Sequence, residues 1–117
     1  MDSIPRLLHD RDLFEALLVR VRALDEATRE GAVFGYPVVF IGHRVVFCVY
    51  GSGIGIRLPA DEAQRLVDGG EAFYFQPYGR SVMREWVEMR VARDRLQEIT
   101  SVLSEAIRFV KALEGSA

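Results

Sequence analysis

The chain carries one cysteine and two histidines among its 117 residues, no surplus of positive charge and no long apolar run. Each shortage removes a class of explanation. Cys48 has no second thiol to pair with, so no internal disulfide staples the fold, and its apolar setting reads as a buried small hydrophobe rather than a reactive thiol. His9 and His43 have no cysteine or carboxylate at ligand spacing beside them, and a zinc or similar site needs three or four converging ligands. No metal or other cofactor is expected. The 15 Lys+Arg stand against 17 Asp+Glu, a net charge of −2, and phosphate contacts usually demand a basic surface, so a dedicated nucleic-acid binder is disfavoured. The apolar runs fall short of the roughly 20 residues that span a bilayer, and Met1–His9 lacks the apolar core of a signal peptide. A cytoplasmic protein with no membrane partner is the expectation.

What remains is an ordinary globular composition, 50% hydrophobic and 27% charged, with no internal repeat, low-complexity tract or linker. A chain of this length forms one domain, spanning 1–117 with a core over about 10–114, and buries roughly two-thirds of its unfolded surface. Its organising stretch is Val33–Leu58. Val38–Ile41 and Val45–Tyr50 are rich in β-branched and aromatic side chains and read as strands. Gly42-His43 between them suits a type II′ turn, which has Gly at its first central position. Gly51, Ser52 and Gly53 form the next turn, and Ile54, Ile56 and Leu58 alternate with Gly55 and Arg57 as a half-buried third strand.

Strict alternation along the middle strand places Val45, Phe47 and Val49 on one face and Val46, Cys48 and Tyr50 on the other. Both faces want cover. A small antiparallel sheet normally needs helices on one side only, so the second face calls for further helices or a second copy of the chain.

Before the meander, Asp10 or Asp12 caps a first helix, Asp12 with Glu15 having capping-box spacing. Leu13, Phe14, Leu17, Leu18, Val21 and Leu24 give it one apolar stripe, and Gly31 is its expected end. After the meander, Pro59, Asp61 and Glu62 open a short helix that stops at Gly69-Gly70. A fourth strand follows at Phe73–Gln76, a loop at Pro77–Ser81, and a fifth strand at Met83–Val91. In that strand Glu85 shares a face with Met83, Val87, Met89 and Val91, opposite Arg84, Trp86, Glu88 and Arg90. A long helix over about Asp94–Glu114 closes the chain, its stripe widened by Val102, Ile107 and Phe109 beyond what one sheet contact requires. The class is α+β, two-layer, α-β(3)-α-β(2)-α with an antiparallel sheet.

Phe34-Gly35, the tight-turned meander, the helix after Arg57-Leu58-Pro59 and above all Gly79-Arg80-Ser81-Val82-Met83-Arg84-Glu85-Trp86 resemble the N-terminal domain of the TfoX (Sxy) competence-regulator family over about residues 10–110. The resemblance implies a fold of the kind shared with secretion chaperones, often dimeric, and a non-enzymatic regulatory or interaction role. This chain departs from the pattern at Val33-Phe34-Gly35-Tyr36, where the family commonly shows Met-Phe-Gly-Gly, and at Gly42-His43, which replaces an Asn-Gly turn. The two-domain regulators carry a further helical domain with no counterpart in residues 1–117, so a competence role is not carried over.

The remaining constellations read mostly as structure. Gly51-Ser52-Gly53-Ile54-Gly55 looks like a phosphate loop but lies between strands, without the helix N-terminus that would hold an anion. No serine sits in a nucleophile-elbow context. Glu85, if buried, needs a cation such as Arg57 or Arg44. The one candidate ligand surface is Tyr78, Arg80, Arg84 and Trp86, where guanidinium forks that bind phosphate or carboxylate lie among aromatics that stack bases. The competing reading pairs those arginines with nearby acids and lays the Trp on the sheet. The expectation is a catalytically inactive homodimeric interaction module. The alternative is a nucleic-acid accessory protein using that loop, and third comes a small-molecule sensor with a pocket between sheet and last helix.

Overall fold

The computed structural model describes residues 8–116; all but the last two residues of Met1–His9 lie outside them. The elements are α1 (Arg11–Leu24), β1 (Arg29–Val33), β2 (Tyr36–Ile41), β3 (Arg44–Tyr50), β4 (Gly53–Arg57), α2 (Ala60–Asp68), β5 (Phe73–Tyr74), β6 (Trp86–Met89) and α3 (Thr100–Gly115). The strands form one antiparallel sheet in the order β1-β2-β3-β4-β6-β5. Among the described residues no helix is long and apolar enough to cross a membrane. The α+β, two-layer class holds, with four strands rather than three before α2.

The extra strand comes from the end of α1. Asp10, not Asp12, caps the helix, its Oδ1 accepting from Leu13 N at 2.9 Å, while Arg11 pairs with Glu15 at 2.8 Å. The helix stops at Leu24 instead of running to Gly31. The carboxylate Oδ1 of Asp25 accepts from Ala27 N at 2.8 Å, and Thr28 Oγ1 donates to Asp25 O at 2.8 Å. These local bonds offer the backbone a turn in place of a further helical turn. Arg29–Val33 is thereby freed to pair with β2.

All three helices feed one core. Leu13, Phe14, Leu17, Leu18 and Val21 of α1, Ala63 and Leu66 of α2, and Leu103, Ala106, Ile107 and Val110 of α3 pack with Val39, Phe47, Val49, Ile54, Ile56 and Val87. Gly42 alone of its turn has positive φ, as type II′ requires. The phase of β3 differs from strict alternation. Register slips between Val39 and Phe40, so that Val39 faces Phe47 and Phe40 faces Val45. This bulge returns Val46 to the helix side with Phe47 and Val49, and sends Val45 to the far side with Cys48 and Tyr50.

The long final helix also divides. Arg93–Ile99 is a 3₁₀ segment that runs into α3. Its tighter period eclipses positions three apart, which sinks both Leu96 and Ile99 into the core. The wide stripe of α3 is met inside the chain, where Val102 and Phe109 pack partly buried against the same cluster.

The fifth strand is shorter than Met83–Val91. Residues 75–85 leave the sheet edge and turn back across the face that no helix covers, and pairing begins only at Trp86. That segment, a strap, gives β3 its second cover without a second copy of the chain. Under it Tyr36, Val38, Cys48 and Phe75 form a separate buried cluster, flanked by Val33, Phe40, Val45, Tyr50 and Trp86.

Candidate aromatic and arginine surface

The strap is held by aromatic side chains. Tyr50 packs on Tyr36, Phe75 and Tyr78 with ring centroids 5.8, 5.6 and 5.2 Å away, each near perpendicular, the edge-to-face arrangement that aromatic quadrupoles favour. Tyr78 N donates to Tyr50 Oη at 2.7 Å, and Tyr78 Oη reaches over β3 and β2 to donate to Phe34 O at 3.1 Å. His9 sits at the other flank, its centroid 5.6 Å from that of Tyr50, with Nδ1 accepting from Gly51 N at 2.9 Å. Burial holds the imidazole below its usual pKa, in keeping with a ring nitrogen that accepts a hydrogen bond.

Two residues of this assembly are strained. Phe34 (φ 50°) and Tyr78 (φ 56°) are the non-glycine residues with positive φ among those described. Phe34 and Gly35 (φ 86°) form the two-residue loop between β1 and β2, and positive φ at both is the type I′ pattern, which prefers Asn or Gly where Phe34 stands. The ring gains little burial there, being 65% exposed, and Tyr78 is 56% exposed. Arg80 lies over Phe34 with its guanidinium carbon 5.0 Å from the ring centroid. Val82 and Met83, also on the strap, are exposed apolar side chains.

The four residues singled out from sequence separate. Tyr78 and Arg80 come together on Phe34 as one exposed feature. Trp86 is half-buried and stacks at 5.9 Å on Phe75, where it covers the sheet. Arg84 is exposed, and among the described residues neither it nor Arg80 forms an ion pair, so the expected pairing with nearby acids is not seen for either. Arg57 is instead the cation that pairs, holding Glu85 at 2.9 Å, while Arg44 goes to Glu114 at 2.9 Å. Phe34 was visible in the sequence only as the lead-in to the meander and within the family resemblance. An aromatic in the first position of a two-residue hairpin loop was the available signal.

Beyond the rings the same face holds a buried acid. Glu88 is 5% exposed, and its Oε2 has no hydrogen-bond partner among the described residues. It lies over Gly53, where a Cβ would stand 2.1 Å from that oxygen, so glycine is what admits the carboxylate. Arg90 Nε is 3.4 Å away. Desolvation raises the Glu88 pKa above the ordinary carboxylate value. The neighbouring Cys48 thiol is pushed up to about 12, again by burial first, which leaves almost no thiolate near neutral pH.

Other readings meet filled or scattered geometry. The Gly51–Gly55 stretch is the β3–β4 hairpin. No group of three or more His, Cys, Asp or Glu able to hold a metal gathers among the described residues. The interface between sheet and α3, considered for a small molecule, is filled by fully buried Leu103, Ala106 and Val110. Compared with family models, curated proteins and solved structures, the chain matches none.

Proposed function

We propose that this chain is a non-enzymatic interaction module of the TfoX N-terminal type, and that it docks a protein through the exposed side of the strap. The observation that carries the reading is the pair Phe34 and Tyr78. Both hold a backbone conformation costly for their residue type while more than half of each residue stays exposed, and such strain persists where the surrounding structure imposes it and function uses it. With Arg80 on Phe34 and exposed Val82 and Met83 on the same strap, the exposed side combines aromatic, aliphatic and arginine side chains, including the aromatic and arginine types enriched at protein interfaces.

The partner we put forward first is a second copy of the chain. The covered second face of β3 and the internally packed stripe of α3 leave this patch as the surface for self-association, which in a two-fold dimer would meet itself. Light scattering over a dilution series tests it. A dimer at high micromolar concentration that dissociates on Phe34→Ser with Val82→Asp supports the reading, and a strictly monomeric protein refutes self-association.

A second reading is favoured by one contact, Arg80 lying on the Phe34 ring beside exposed Tyr78, with exposed Arg84 on the same strap. Aromatic faces with adjacent guanidinium groups make a stacking platform for single-stranded nucleic acid. The net charge of −2 counts against it. Fluorescence anisotropy with oligothymidine and oligouridine at about 50 and 200 mM salt would show binding that weakens with salt and with Arg80→Ala and Arg84→Ala. No binding at low salt disposes of it.

A further inference from the structure

On the opposite side of the molecule the helices leave a trough. Two depressions, of about 430 and 380 Å³, open outward and share Leu24 as a lining residue. The first runs along α1 past Ala16, Val19 and Arg20 to Arg93 and Leu96 of the 3₁₀ segment. The second continues onto α3 at Ile107, Arg108 and Lys111. Val19 is 73% exposed and Leu24 39%, so α1 carries apolar side chains on its solvent face as well as its buried one.

The charge lining this trough has one sign. Arg20, Arg93, Arg108 and Lys111 contribute, and no carboxylate lines either depression, in a chain whose net charge is −2. The acids that meet these cations stand outside the lining: Asp12 is 3.2 Å from Arg93, Glu105 2.8 Å from Arg108 and Asp25 2.6 Å from Lys111. Arg20 forms no ion pair among the described residues. The Arg93–Asp12 and Arg108–Glu105 pairs are 62%/77% and 73%/38% exposed, and ion pairs that wet are worth little and exchange readily. Lys111 is instead held by Asp25, whose side chain is only 14% exposed.

We propose that this trough docks an acidic amphipathic helix of a partner protein, its apolar face on Val19, Leu24 and Ile107 and its carboxylates on Arg20, Arg93 and Arg108. An apolar floor with a charged rim is the geometry of helix-in-groove recognition, read by anchors at i, i+3 or i+4, and i+7. Ala16 to Leu24 spans about 12 Å along α1 at 1.5 Å per residue, room for two turns of a bound helix. A single-stranded nucleic acid fits worse, because the lining offers no aromatic face for a base. This site is separate from the strap, and neither proposal depends on the other.

The test is amide chemical-shift mapping on the full chain. The probe is a synthetic peptide of about 18 residues with Leu at helical i, i+3, i+4, i+7 spacing and Glu elsewhere. The expected result is saturable shifts at Val19, Arg20, Leu24, Ile107 and Arg108, with Kd below about 1 mM. Arg20→Glu with Arg108→Glu should weaken binding at least about tenfold while leaving the thermal melt in place, and Phe34→Asn should leave binding unchanged. The proposal is overturned if the peptide gives no shifts, if they fall on the strap, or if a Lys-for-Glu peptide binds equally well. Shifts of the same amides on concentrating the protein alone would replace it with a second copy as occupant. Shifts with phosphatidylserine vesicles but not with peptide would replace it with a lipid surface.

Discussion

Replacing Phe34 by Asn removes a large exposed hydrophobe and should make the protein more stable. The structure lets the size be worked out. A side chain held at φ 50° costs about 1–2 kcal/mol for an L-residue, and Asn is among the few that visit this region routinely, so relief of about 1 kcal/mol is available. Against it stands the loss of the Arg80 contact, worth about 0.5–1 kcal/mol at an exposed site. The ring, 65% in water, forfeits little burial, and the Tyr78 bond to Phe34 O is to the backbone and survives. The net gain for Phe34→Asn is therefore between about 0 and 0.5 kcal/mol. In an Arg80→Ala background the stacking loss is already taken, and the same substitution should yield the full gain of about 1 kcal/mol. Urea unfolding of the four proteins reads this directly, as 1 kcal/mol moves the midpoint by about 0.5 M for a slope near 2 kcal/mol/M. If Phe34→Asn destabilises the Arg80→Ala protein, the ring is structural and the strain argument is wrong.

Three further outcomes are expected. Glu88→Gln should stabilise by about 1 kcal/mol at pH 7, since it removes a buried charge whose Oε2 meets only Arg90 among the described residues, at 3.4 Å and without a hydrogen bond. Because folding raises the Glu88 pKa from its ordinary 4.5, the contribution of this acid is fullest below that value and is lost as pH rises through the folded pKa. The Gln advantage must therefore shrink on acidification toward pH 4; a pH-independent difference in thermal melts would show that the charge is not the cause. Gly55→Ala puts a Cβ 2.5 Å from Cys48 Sγ and 3.3 Å from Phe75 Cε2, an overpacking cost of about 1–3 kcal/mol that should fall in a Cys48→Ala background. Equal cost in both backgrounds would place the clash elsewhere. Cys48 itself, buried with its thiol at about 12, should react with an aromatic disulfide reagent at pH 8 only at the rate of global unfolding, and fast labelling of the native protein would show that the strap opens on its own.

The elements with strong local pattern could be read from the sequence. Leu13 to Val21 has one helical stripe, and Ile54, Gly55, Ile56 alternates cleanly between faces. What the sequence hid was set by distant partners. Arg29–Val33 has neither alternation nor β-branched density, and becomes a strand because Asp25 and Thr28 end the helix early and β2 offers an edge. The Val46 bulge follows from a register slip against β2, which no residue of β3 announces. At the candidate surface, Tyr78 and Arg80 were legible as a cluster of residue types, whereas Phe34 joins them from 44 residues away by the reach of one phenol. Trp86 looked equally promising, but its pairing opposite Arg57 turns it onto Phe75.

The placement of α3 bears on how the protein is made. This helix lies across β2, β3 and β4, yet it spans Thr100–Gly115 and is translated after all of them. Once Arg57 has emerged from the ribosome the nascent chain holds α1 and the four-stranded meander, with Ile54 and Ile56 of β4 awaiting a cover that has not yet emerged. Every growing chain therefore passes through an interval with an oily sheet face open to solvent, a substrate for chaperones and a hazard when translation stalls before α3.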